Sequence, residues 1–138
     1  MKIPMIADLT DAFLSKSESM EDRILQNTLA RIDAEPARVR TDALGRVTAI
    51  NPAFSALCGF RFEEIQGLKP GSLLQGRDTT PESILVIREA IRECVPCSLE
   101  MVNYHKDKSP YRVSIQITPL LKGNGELEGF EAIEQKLD

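Results

Sequence analysis

Few residues of this chain have the type and spacing to do chemistry. Cys94 and Cys97 stand in a Cys-Val-Pro-Cys run, a spacing that serves a thiol–disulfide couple or one half of a zinc site. A second pair is missing, so Cys58 and His105, the sole histidine, would have to converge on the run to complete a zinc set. His105 falls in the turn HKDKS, where a solvated imidazole without a paired acid is expected rather than a general base. No GxxxxGK phosphate loop occurs. Catalysis is therefore not expected of this chain. With three cysteines the count is odd, which fits a reducing compartment better than a disulfide framework.

The totals exclude further classes. A formal charge of −4 without a basic cluster argues against a nucleic-acid or anionic-membrane surface as the main partner. The N-terminus, MKIPMIADLTD, carries acids where a secretion signal has an apolar core, and no apolar run is long enough to span a bilayer. A cytoplasmic protein that binds neither nucleic acid nor membrane is expected.

The elements that must position a site read as follows. ARVRTDALGRVTAIN gives two short strands about a Leu-Gly turn. Asn51-Pro52 then caps and opens a helix holding Phe54, Leu57 and Phe60, and FRFEEIQG adds a helical turn that stops at Gly67. KPGSLLQG reads as a loop. Thr79 or Thr80 caps the next helix, with Pro81 first and Glu82 on its N-terminal dipole. Ile84, Ile87, Arg88 and Ile91 repeat along it, giving an aliphatic inner face with one arginine beside it. After Pro96 the pattern alternates, placing Leu99, Met101 and Asn103 on one face of a strand. PYRVSIQITPLL and ELEGFEAIEQ, joined by Gly123-Asn124-Gly125, complete about five strands. The expected class is α+β, a five-stranded antiparallel sheet with helices on one face.

Residues 1–36 differ from the domain expected over 37–138. They hold most of the net negative charge and two expected helices, one marked by Ile6, Leu9 and Phe13, the other started by Ser19 with Asp22 three residues on. Ile24, Leu25, Thr28, Leu29 and Ile32 form an apolar stripe along the second. That stripe packs either on the domain's own sheet or on a second subunit.

LLQGRDTTPESILVIREAI, then SLEMVNYHKDKSPYRVSIQITP, with TDALGRVTAINPAFSALCGFRFEEIQG upstream, resembles the PAS family and, within it, the flavin-binding LOV branch. The resemblance covers residues 39–134 and implies the PAS fold, preceded here by an N-terminal helical extension that would mediate homodimerisation. It also implies a set of pocket residues. Gln75 and Leu74 match the glutamine and leucine of the LOV motif, Arg88 an arginine that pairs with the flavin phosphate, and Asn103 the first asparagine on the isoalloxazine edge. The second asparagine falls on Val113 and the final-strand glutamine on Glu134. Ser72 stands where another phosphate-binding arginine would be, and Arg61 where a capping serine or threonine is usual. The segment that carries the photoactive cysteine reads Pro70-Gly71, so a cysteinyl–flavin adduct is not expected.

Three functions follow from the resemblance and these departures. The chain is a non-catalytic sensory module that dimerises and senses a small ligand; or it binds FMN or FAD as a redox sensor; or it is the regulatory input of a histidine kinase or cyclic-dinucleotide enzyme, with a downstream signalling partner. In each, the signal would pass from the pocket through strands 110–121 and 126–134 to the N-terminal helix.

Overall fold

In a computed structural model, residues 19–26 and 35–138 are described. The chain divides into two compact units after Glu35. Within the first, residues 20–26 are helical, and Ser19 Oγ accepts from the Asp22 N–H at 3.0 Å, the side-chain cap expected at a helix start. The expected helix around Ile6, Leu9 and Phe13, and the stripe beyond residue 26, lie outside the described residues.

The second unit begins with β1 (Ala37–Asp42) and β2 (Val47–Ile50), followed by α1 (Pro52–Cys58), α2 (Phe62–Ile65), α3 (Pro70–Leu74) and α4 (Pro81–Glu93). Three long strands close it: β3 (Cys97–Tyr104), β4 (Pro110–Leu121) and β5 (Leu127–Lys136). All neighbouring strands pair antiparallel, in the order β2-β1-β5-β4-β3. The last strand in sequence is thus the central one. Among the described residues no helix is long and apolar enough to cross a membrane.

Alternation sets the inner face of the sheet. Tyr111, Val113, Ile115 and Ile117 of β4 are buried, and β3 presents Met101 and Asn103 to the same side. Phe130 and Glu134 of β5 and Ala37 and Val39 of β1 complete the buried row. These residues form two clusters: Phe54, Cys58, Ile65 and Leu74 of the helices join Ala37, Val39 and Val47 in one, and Ile87 and Ile91 of α4 pack on the β3–β4 residues in the other.

Local chemistry explains the boundaries. Asn51 Oδ1 accepts from the N–H groups of Phe54 and Arg38, at 3.0 and 2.9 Å, and its Nδ2 donates to Pro36 O. One side chain thereby caps α1 and ties it to β1. Gly59, at φ 82, ends α1 in the left-handed conformation, so Phe60 lies beyond the helix rather than within it as the spacing suggests. At α2 a guanidinium cannot accept, so Arg61 supplies no cap; Glu64 Oε1 accepts from the Arg61 N–H instead. KPGSLLQG, expected as a loop, winds Pro70–Leu74 into a short helix, with proline at its first position. Between β1 and β5, Gly129 is required by contact, because a Cβ there would stand 1.9 Å from Thr41 O.

Candidate functional site

The segment between α3 and α4 is pinned over β3. Thr79 Oγ1 donates to Val102 O at 2.7 Å and accepts from the Gly76 N–H, while Tyr104 Oη accepts from the Asp78 N–H at 2.8 Å. Of the two threonines, Thr80 is the cap of α4, accepting from the Ser83 N–H, and Thr79 is buried. Gly76 lies against the Tyr104 ring, where an added Cβ would approach to 2.5 Å. These bonds fix how far α3 and α4 stand from the sheet.

Between them lies a cavity of about 90 Å³. Val39 and Thr41 of β1, Ile115 and Ile117 of β4, Phe130 and Ala132 of β5, and Met101 of β3 form its floor; Pro70, Gly71, Leu74 and Ile87 form its roof. Three polar side chains besides Thr41 reach it: Asn103, Gln75 and Glu134. The Gln75 carboxamide folds back on Gly71, whose missing Cβ leaves it room. No lysine, arginine or histidine lines the cavity.

Glu134 dominates the electrostatics. It is 5% exposed, and its Oε1 has no hydrogen-bond partner among the described residues. Desolvation disfavours the charged form and raises its pKa to about 7. The Tyr111 hydroxyl, also buried and unpartnered, is pushed upward first by burial and then by the Glu134 charge, and burial raises the Cys58 thiol as well. Tyr111 stands directly across from Asn103 in the β3–β4 pairing. Periodicity marks Tyr111 only as an inward strand residue; its orphaned hydroxyl is evident from the structure alone.

Of the six residues expected at the site, the structure gathers Asn103, Gln75, Leu74 and Glu134 around the cavity. Val113 is fully buried beside Met101 and does not line it. Arg88 is exposed on α4 and does not line it either. Glu89, its neighbour on α4, pairs with Arg92 at 2.9 Å. Among the described residues no group of three or more His, Cys, Asp and Glu side chains is placed to hold a metal ion. Cys58 is buried in the core, while Cys94 is exposed at the end of α4. His105, expected in solvent, is half-buried, with its ring on Gly59 and Nδ1 accepting from the Asp107 N–H. Glu64, bonded to Lys106 and to the Arg61 N–H, and Asp107, bonded to Ser109, are held below the usual carboxylate range.

A flavin is the group this architecture brings to mind, and the fit divides. Asn103, Gln75 and Glu134 offer a polar edge. The volume is well below the roughly 300–1,000 Å³ usual for cofactor pockets, and none of the three cysteines lines the cavity to form an adduct. As it stands, the cavity does not accommodate the ring system.

Comparison with known proteins bears on the fold and its branch. The PAS domain family matches residues 38–135. The blue-light-activated histidine kinase of Brucella ovis is 32% identical over 88 residues, which are 64% of this chain and 17% of that protein. Blue-light-activated histidine kinase 1 of Erythrobacter litoralis is 34% identical over 84 residues, 61% of this chain and 23% of that one. The chain thus spans less than a quarter of either kinase. Among solved structures, the light-state LOV domain of the blue-light photoreceptor Aureochrome1 superposes with a TM-score of 0.71 at 25% identity, covering 79% of this chain and 87% of that one. Its dark-state structure matches at 0.71 and 22% identity, covering 88% and 85%. With the sheet order and the helical roof over the cavity, these matches show that the chain belongs to the PAS domain family and is similar to its LOV branch.

Proposed function

We propose that this chain is a non-catalytic signalling module that senses a compact small molecule in the cavity between α3, α4 and the sheet. One observation carries the reading: a buried carboxyl with an unpartnered oxygen faces a cavity that is otherwise mostly apolar. An orphaned buried polar atom costs roughly 1–3 kcal/mol, which a ligand able to hydrogen-bond there would recover. Glu134 lies on the central strand, paired with Ala37 on one side and Ile115 on the other. A ligand that changes its bonding acts at the middle of the sheet.

A flavin is the second reading, favoured by the LOV structures and by Arg88, which makes no ion pair among the described residues. It requires α3 and α4 to move outward. The absorption spectrum of the purified protein, followed by mass spectrometry of what denaturation releases, separates the two. A structured blue band with released FMN or FAD establishes the flavin reading. A sample that stays colourless after incubation with flavin removes it and leaves the compact ligand.

The module works, in this proposal, as a homodimer joined through the N-terminal helix and passes its signal to a downstream domain such as the kinase portion of its relatives. The unpaired cysteines accord with a cytoplasmic setting. Deleting residues 1–34 should convert a dimer to a monomer in light scattering; an unchanged oligomeric state would argue against the helix as the dimer element.

A further inference from the structure

The charge of the cavity narrows what it can hold, and this step rests on the ligand-sensing reading above. With no cation in its lining, an anionic ligand would enter unpaired beside Glu134. Burying a charge without a partner is among the costliest events in a protein interior. The groups that face Glu134 from the packed elements do not change this. Asn103 and Gln75 are neutral amides, Thr41 already donates its hydroxyl to Asp42 O, and Tyr111 and Cys58 are held in their neutral forms by burial. Oε1 of Glu134 lacks a hydrogen-bond partner, and once the carboxyl is ionised that partner must be a donor.

Size narrows the choice further. At about 90 Å³ the cavity is smaller than the ~150 Å³ apolar cavity that takes a benzene ring. A five-membered ring with a small substituent suits it, with its carbon edge on Ile115, Ile117 and Phe130. We infer that the cavity is a site for a compact nitrogen base of the imidazole type, seated with a ring N–H on Glu134 Oε1. A neutral base arriving at the protonated acid takes its proton: the carboxyl O–H bond breaks, an N–H bond forms on the ring, and an ion pair replaces two neutral partners. Net charge in the cavity is zero before and after.

The test uses the whole chain with two five-membered aromatic rings of similar size, 4-methylimidazole and thiophene, in calorimetric titrations near neutral pH. The base should bind about tenfold or more tightly than thiophene, and Glu134→Gln should remove that margin while leaving thiophene unchanged, since a hydrogen bond to a charged group is worth that factor. Equal binding of both probes, unaffected by the substitution, would overturn the inference, as would binding of thiophene alone; either result leaves the cavity reading intact. Binding of neither would overturn both. A second readout is independent of the variant's folding: adding 4-methylimidazole to wild-type protein should move the Glu134 carboxyl carbon, followed by NMR, to its ionised position, and a resonance that does not move counts against the ion pair.

Discussion

Raising the pH from 4.5 to 7 should lower the unfolding free energy by about 3 kcal/mol through Glu134 alone. In the folded state this carboxyl keeps its proton up to about 7, whereas unfolded it loses it near 4.5. Between those values the unfolded chain binds fewer protons than the folded one, so stability falls as pH rises and levels off once both states are ionised. The sign is opposite to that of a carboxylate held by a partner. Asp42, Glu64 and Asp107 are of that second kind, with pKa values below their usual 3.8 or 4.5; their contribution is present at neutral pH and is lost only as the pH falls below those values. The two windows hardly overlap. Urea unfolding at pH about 5 and about 7.5, in wild type and in Glu134→Gln, isolates the effect. The wild-type loss should vanish in the variant, and an equal loss in both would show that Glu134 is not the group responsible.

Phe54→Ala is expected to cost about 3–5 kcal/mol. The ring is 1% exposed and belongs to the cluster that joins α1 to β1 and β2, with Cys58, Ile65, Leu74, Val39 and Val47. None of these can fill its volume without leaving its strand register or its helix. Against a total stability of 5–15 kcal/mol for an ordinary domain, such a loss brings the fold close to failure. Phe54→Leu keeps an apolar side chain and should lose less than half as much. Because Val39 and Leu74 also line the cavity, the milder variant should weaken ligand binding as well. Thermal melts check both; a midpoint for Phe54→Ala within a degree or two of wild type would contradict the packing described.

Much of this was legible in the sequence, for reasons particular to each element. Strict alternation in SLEMVNY and PYRVSIQI fixed which residues face inward, and parity alone put Asn103 in the buried row. Asn51-Pro52 and Thr80-Pro81 carry their caps in local chemistry, so the starts of α1 and α4 were readable. Arg88 was not. On a helix it lies about 70° from the centre of the Ile84, Ile87 and Ile91 stripe, at 3.6 residues per turn, and at that shoulder a long charged side chain turns to water. The α3 helix is too short for periodicity to show, and its proline and glycine read as loop. Glu134 was found through resemblance to a glutamine position; that its carboxyl stands without a partner depends on four strands meeting at once. The half-burial of His105 likewise depends on Gly59, distant in sequence, offering a bare backbone beneath the ring.

The place of β5 has a consequence for how the molecule is made. Of the five strands it is synthesised last, yet it pairs with β4 along its whole length and with β1 over residues 129–134. While the chain is emerging, β1–β2 and β3–β4 can form only as two separate hairpins, each with an open edge of unpaired backbone groups. The barrier to completion lies in long-range closure, since residues near 40 must find residues near 131. Nascent chains halted before Leu127 should therefore be protease-sensitive and prone to edge association, and resistance should arrive in one step as the final strand is released from the ribosome.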